Sequence, residues 1–287
     1  MIICRTEGNR FGVVKDGMVR DVTSVLDELT SHSYPYPMGD AFVEALPELR
    51  SRLESLAAQA APVPASQLKF LSPVANPGKI IGAPVNYKKH LEEVTADPQL
   101  HHQNAAHMQE IHKMGLFLKA TSSVIGASET VLIRHADRRT DHEVELAVII
   151  GKKAKSVTRE KALEIVAGYT IGLDITVRGS EERSLRKSID TYSVLGPWMV
   201  TADEIPDPSQ LDLSITVNGE PRQKSNTRNL ILGVPELIAY ATSFYTLYPG
   251  DVIMTGTPEG VAPIQPGDVM LARIEGIGEM KVCVAAA

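Results

Sequence analysis

The sequence predicts a β-rich α+β fold. Strand-like runs are short and numerous, helical runs are few, and the two do not alternate regularly, which disfavours a doubly wound sheet. The chain of 287 residues is 43% hydrophobic but only 5% aromatic, so Val, Ile, Leu and Ala must fill its core.

Residues 1–22 read as a hairpin: Arg10 to Val14, a turn at Lys15-Asp16-Gly17, then Met18 to Val22. A helix is expected from about Ala41 to Ala60, where Leu46, Leu49, Leu53 and Leu56 recur at three- and four-residue spacing. The small-residue and proline run 57–66 reads as a linker. It places a boundary near residue 70, between a small N-terminal α+β domain (1–70) and a larger domain (71–287). The first part holds no cluster of chemically useful residues and reads as a structural or dimer-supporting module.

Beyond the linker, strands are expected at Lys79–Ala83, Val131–Arg134, Glu143–Ile150, Tyr169–Leu173 and Trp198–Thr201, and then at Leu213–Val217, Val252–Thr255, Val269–Ile274 and Met280–Val284. Asn218-Gly219 is a strong two-residue hairpin turn. Helices are expected at Tyr87–Val94, Arg159–Val166 and Val234–Phe244.

A formal net charge of −6 with scattered Lys and Arg gives no footprint for nucleic acid and no polybasic run for a membrane surface. No stretch approaches the roughly 18 apolar residues that span a bilayer, and charge arrives too early at the N-terminus for a secretory leader. Cys4 and Cys283 lie at opposite ends of the chain, too few and too far apart for a disulfide framework. They read as buried thiols in a reducing cytoplasm.

The chemistry centres on Asp141-His142-Glu143-Val144-Glu145-Leu146. On a strand, Glu143 and Glu145 point the same way, and their repulsion beside an apolar run is relieved by a cation between them. Oxygen donors of this kind suit Mg²⁺, Mn²⁺ or Ca²⁺. An edge strand with a solvated acidic face satisfies the same spacing. Asp174 closes the apolar run Gly168–Leu173 and is a third acid, or a simple turn former. His90 and Glu93 share a helix face, and a carboxylate there orients an imidazole for base catalysis. Taken alone the His-x-x-Glu spacing is a weak signal, and an exposed ion pair on a surface helix is its ordinary reading.

The histidines at 101, 102, 107 and 112 have the wrong steps for a zinc site, and their stretch reads as a solvated helix or a flap. Lys119, Lys187 and the Thr255–Gly260 loop with Thr257 could line a pocket or serve as ordinary surface and turn residues. No nucleophile elbow, dinucleotide fingerprint or Walker loop is present, which argues against serine hydrolases, dinucleotide oxidoreductases and nucleotide kinases.

In this order, the segments Gly82–His90, Phe117–Lys119, Asp141–Leu146, Gly168–Asp174, Lys187–Thr191, Leu195–Trp198 and Thr255–Val261 resemble the fumarylacetoacetate hydrolase superfamily over roughly residues 75–285. The resemblance implies a mixed β-roll catalytic domain behind a small N-terminal domain, usually in a homodimer. It also implies Mg²⁺ or Mn²⁺ on Glu143, Glu145 and Asp174, a water-activating or proton-shuttling pair in His90 and Glu93, and substrate contacts from Lys187 and Thr257. Tyr87, Lys119 and Arg178 are further expected substrate contacts. After Asp174 the chain departs from the family's common pattern, since Arg178 is followed by Gly179, Ser180 and Glu181. Glu181 in place of an amide is expected to repel an anionic tail.

The implied activity is hydrolysis of a carbon–carbon bond in an acylpyruvate-type 2,4-dioxo acid through a metal-stabilised enolate, in the catabolism of aromatic compounds. Oxaloacetate decarboxylation and isomerisation of a 2-hydroxymuconate-type diene use the same site. The rival from another class is a non-catalytic protein that binds a metabolite.

Overall fold

The computed structural model describes residues 1–102 and 108–287; His107 of the histidine-bearing stretch lies outside them. Among the described residues the largest sheet is mixed. Its strands run in the order 62–64, 18–21, 10–15, 2–6, 193–201, 166–174, 144–150, 252–254, 80–82 and 117–119. Two short strands, Phe70–Leu71 and Val124–Ile125, pair with it off this path. The hairpin expected at the N-terminus forms, and its first strand Ile2–Thr6 pairs with Ser193–Thr201, so residues 1–22 extend the central sheet. A five-stranded sheet in the order 220–226, 212–217, 269–274, 278–286 and 130–133 makes a second layer. The strands 176–177, 140–142 and 262–263 form a small third sheet.

Strand Val144–Ile150 shows how the layers stack. Every residue in it is buried, and the two faces feed different cores. Val144, Leu146, Val148 and Ile150 pack with Leu213, Ile215, Ala272 and Val282 of the five-stranded sheet. Ala147 and Ile149 pack with Phe42, Val43, Leu46, Leu49 and Leu53 of helix Ala41–Gln59. The near-continuous apolar run is thus a strand covered on both sides. Asp40 caps the helix, its carboxylate accepting from the Phe42 and Val43 N–H groups at 3.1 Å.

The Asn218-Gly219 turn forms, with φ of +53° and +84°, the pair of positive values that a two-residue hairpin of this kind requires. One expected helix forms in a tighter form, and one expectation is corrected. Residues Arg159–Ile165 are a 3₁₀ helix, because only Ala162 and Ile165, three apart, are buried and an i→i+3 turn already aligns them. Cys283 is exposed: on strand Gly278–Ala286 the side chains of Met280, Val282 and Val284 point inward, and strand alternation turns Cys283 out. Among the described residues, no helix is long and apolar enough to cross a membrane.

Candidate active site and metal centre

Strand register assembles the acids. Val144 pairs with Leu173 and Glu145 with Gly172, and the Asp174 N–H donates to the Glu143 carbonyl at 2.9 Å. Glu143 and Glu145, two apart, therefore share a face, and Asp174 lies across from Glu143 on that same face. All three are buried, and one carboxylate oxygen from each lies within 4.8 Å of the others.

Cationic side chains surround this group unevenly. The Lys187 ammonium donates to Glu143 Oε2 at 2.7 Å, Asp174 Oδ2 at 2.8 Å and Thr176 Oγ1 at 2.7 Å. Arg178 reaches Glu143 Oε1 at 2.9 Å and is itself held by buried Asp141 at 2.7 Å. Lys119 lies wholly buried, donating to Asp174 and to the Tyr192 carbonyl. Burial alone would raise the Glu143 carboxyl, but Lys187 and Arg178 outweigh it and hold the group well below the usual carboxylate range. Glu145 is the opposite case. Burial first, then the neighbouring Asp174 and Glu143 charges, push it well up. It makes no salt bridge among the described residues; the Gly256 N–H donates to its Oε2 at 2.7 Å. Gly256 has φ of +97°, and a Cβ there would lie 2.7 Å from Asn86 Cβ, so only glycine brings that N–H so close.

These donors fit a divalent cation. Three hard oxygen ligands converge, and burial beside Asp174 and Glu143 disfavours the charged form of Glu145, a penalty that a cation beside it would remove.

Helix Lys88–Ala96 carries the candidate base. His90 is buried in its first turn, and its Nδ1 lies 2.8 Å from Glu93 Oε2. Glu93 Oε1 in turn accepts the Gly260 N–H at 2.9 Å, which ties the helix to the Thr257 loop. His90 and the acids face one cavity enclosing about 470 Å³, its mouth included. Thr257 lines it as well, its hydroxyl donating to the Val144 carbonyl at 2.9 Å. Val94, Leu100 and Phe117 add apolar wall, so part of the 92–102 stretch covers the cavity instead of facing solvent.

Of the residues expected here, Glu143, Glu145, Asp174, His90, Lys187, Arg178 and Thr257 line the cavity. Glu93 stands behind His90 and Lys119 behind Asp174, neither in the lining. Tyr87 is buried outside it, its hydroxyl without a hydrogen-bond partner among the described residues. Glu181 does not face the cavity; it pairs with Arg138 at 2.8 Å, and this removes the repulsion expected of it. Three residues went unnoticed in the sequence. Arg183 and Arg186 line the cavity from helix Arg183–Lys187, and their i, i+3 spacing with Lys187 at i+4 was a usable signal. Gln223 gave none. Buried on strand 220–226, it accepts the Val144 N–H at 3.0 Å and donates to Thr257 Oγ1 at 2.8 Å and the Pro258 carbonyl at 2.7 Å.

Residues 79–285 match the family described as fumarylacetoacetate (FAA) hydrolase, C-terminal. The chain is 56% identical over 284 residues to a maleylpyruvate hydrolase of Aquipseudomonas alcaligenes, covering 99% of each. It is 37% identical to a mitochondrial oxaloacetate tautomerase of Rattus norvegicus, covering 78% of this chain and 72% of that one. The crystal structure of maleylpyruvate hydrolase from Sphingobium sp. SYK-6 in complex with manganese(II) ion and pyruvate superposes with a TM-score of 0.83, at 37% identity and full coverage of both chains.

Proposed function

From its membership of the fumarylacetoacetate hydrolase family, to which the chain belongs, we propose that it is a divalent-metal-dependent hydrolase that cleaves the carbon–carbon bond of an acylpyruvate-type 2,4-dioxo acid. The observation that carries this reading is the buried His90–Glu93 pair, set in the same cavity as the three convergent carboxylates. A base beside a metal-binding triad is what water attack on a chelating 2-oxo acid requires. The maleylpyruvate hydrolase relative supports the same choice.

Glu143, Glu145 and Asp174 would hold Mg²⁺ or Mn²⁺, and the ion would supply Lewis acidity toward the 2-oxo acid end of the substrate. Glu93 fixes the imidazole through Nδ1 and leaves Nε2 to take a proton from water. The resulting hydroxide adds to the acyl carbonyl. The bond between that carbon and the adjacent CH₂ then breaks, its electron pair passing to the CH₂ carbon to give the enolate of pyruvate. The Lys187 ammonium stabilises the developing negative charge. Protonated His90 returns the proton to carbon, and the products are pyruvate and a carboxylic acid. Thr257 and Arg178 position the substrate. A homodimer is part of the proposal, and sedimentation equilibrium at the monomer mass would remove it.

The tautomerase relative favours oxaloacetate as a second substrate to test, because moving a proton between carbon and oxygen needs the same base. The experiment is incubation with Mg²⁺ or Mn²⁺ and a panel of acylpyruvates and oxaloacetate, following loss of enol absorbance and identifying products. Pyruvate plus a carboxylic acid supports the hydrolase. Carbon dioxide, or enol–keto interconversion alone, replaces it.

A further inference from the structure

Helix Lys88–Ala96 stands between two hollows. His90 and Val94 line the cavity described above, while Lys88, Lys89 and Glu92, on the opposite face of the helix, line a second cleft. That cleft encloses about 930 Å³, its mouth included, and shares no lining residue with the first. Arg228, in the turn after strand 220–226, and Glu259 form its other walls. Lys88, Lys89 and Arg228 are exposed at the rim, whereas Tyr87, which also lines the cleft, is 1% exposed. The Tyr87 hydroxyl has no hydrogen-bond partner among the described residues, a costly state for a buried donor. Burial, then the Glu145 and Glu259 charges, push this phenol up, so near neutral pH it meets a ligand as an O–H donor. Tyr87 is also the N-cap residue of the nine-residue helix and gives it no side-chain cap, which leaves the first N–H groups to water or to a ligand. Lys89 pairs with Glu259 at 3.7 Å, but Lys88 and Arg228 form no salt bridge among the described residues.

A buried O–H donor, two free cations and an uncapped helix N-terminus all call for an oxyanion. Glu92 and Glu259 in the same lining weigh against a singly charged one, and a doubly charged phosphoryl group outweighs them. We propose that this cleft is a second, separate ligand site that binds a phosphoryl group, either inorganic phosphate or the phosphate of a small metabolite, through the Tyr87 hydroxyl, Lys88 and Arg228. The cleft is larger than phosphate alone, and the carbon part of an ester has room against Leu230.

The test is calorimetry on Mg²⁺-loaded protein, with pyruvate present to occupy the main cavity. Inorganic phosphate, glycerol 3-phosphate and chloride are compared at matched ionic strength, so that screening is the same in each. Phosphate and its ester should bind saturably and chloride should not. Arg228→Gln should weaken phosphate about tenfold, the scale of a hydrogen bond between charged groups. Tyr87→Phe should weaken it about threefold to tenfold and leave the free protein at least as stable, because the hydroxyl it removes has no partner to lose. Arg183→Gln, in the main cavity, should leave phosphate affinity unchanged. An ester that binds more tightly than phosphate identifies a metabolite as the occupant, and the reverse order identifies the free ion; both support the site. The proposal is overturned if phosphate binds no better than chloride, or if its affinity survives both Arg228→Gln and Tyr87→Phe. Weakening by Arg183→Gln also overturns it, since the anion would then lie in the main cavity. Arg228 is exposed and Phe keeps the ring of Tyr87, so neither substitution threatens folding. Binding is read without turnover, so the result stands whichever reaction the main cavity catalyses.

Discussion

The Asp174 N–H donates to the Glu143 carbonyl at 2.9 Å, and this one backbone bond continues the ladder that sets three carboxylates on one face. It carries Asp174, distant in sequence, to the end of the strand that bears Glu143 and Glu145. Lys187, Arg178 and Lys119 answer Glu143 and Asp174, but Glu145 stands beside like charge with burial denying it water, so the site is poised for a cation.

Glu145 tests that poise. It alone of the three makes no salt bridge among the described residues, so Glu145→Gln removes repulsion without orphaning a side-chain partner. The metal-free variant should be at least as stable as the wild type. Wild-type protein should gain about 2.7 kcal/mol in Mn²⁺ at a hundredfold excess over Kd, and the variant almost none. Thermal unfolding with and without the ion measures both; equal stabilisation of the two proteins would remove Glu145 from the metal site.

His90→Ala should lower kcat by roughly 10²- to 10⁴-fold, the usual contribution of a positioned base, while Mn²⁺ still stabilises the protein. Glu93→Gln should lower it less, because the imidazole keeps a hydrogen-bonding neighbour but loses a charged one. Undiminished turnover in His90→Ala would end the water-activation role.

Gln223 holds the strand of Glu143 and the loop of Thr257 together through a single buried amide. Gln223→Ala leaves the buried Val144 N–H and the Pro258 carbonyl without their partners, at a cost of about 2–4 kcal/mol. Urea unfolding should show that loss, and kcat/KM should fall with it. A change below about 0.5 kcal/mol, the range of neutral surface substitutions, would mean the amide is not a clamp.

The two thiols should behave differently. At pH 8, iodoacetamide should label Cys283 and spare Cys4, which burial pushes from 9.0 up to about 12. Because the folded value is the higher one, its contribution to stability is fully present below about pH 9 and is lost as pH rises toward 12. Burial raises Tyr87 and Tyr169 in the same direction. Urea midpoints should therefore fall between pH 9 and pH 11, less steeply in Cys4→Ala. Rapid native labelling of Cys4 would contradict its burial.

Local periodicity determined much of this protein from the sequence alone. A repeat of two placed Glu143 and Glu145 on one face and made the run after them a strand. A repeat of three to four put His90 beside Glu93 and lined up Leu46, Leu49 and Leu53 for the core. Asn218-Gly219 dictated its own turn, since positive φ is cheap for those residues. What tertiary structure decided was everything that depends on register between distant strands. No local pattern brings Gln223 to Thr257, turns Glu181 toward Arg138, or buries Lys119 behind Asp174. Nor could spacing reveal that Arg183 and Arg186 form no salt bridge among the described residues. A charge is unpaired only relative to neighbours that the chain must fold to collect, and that balance is fixed by packing.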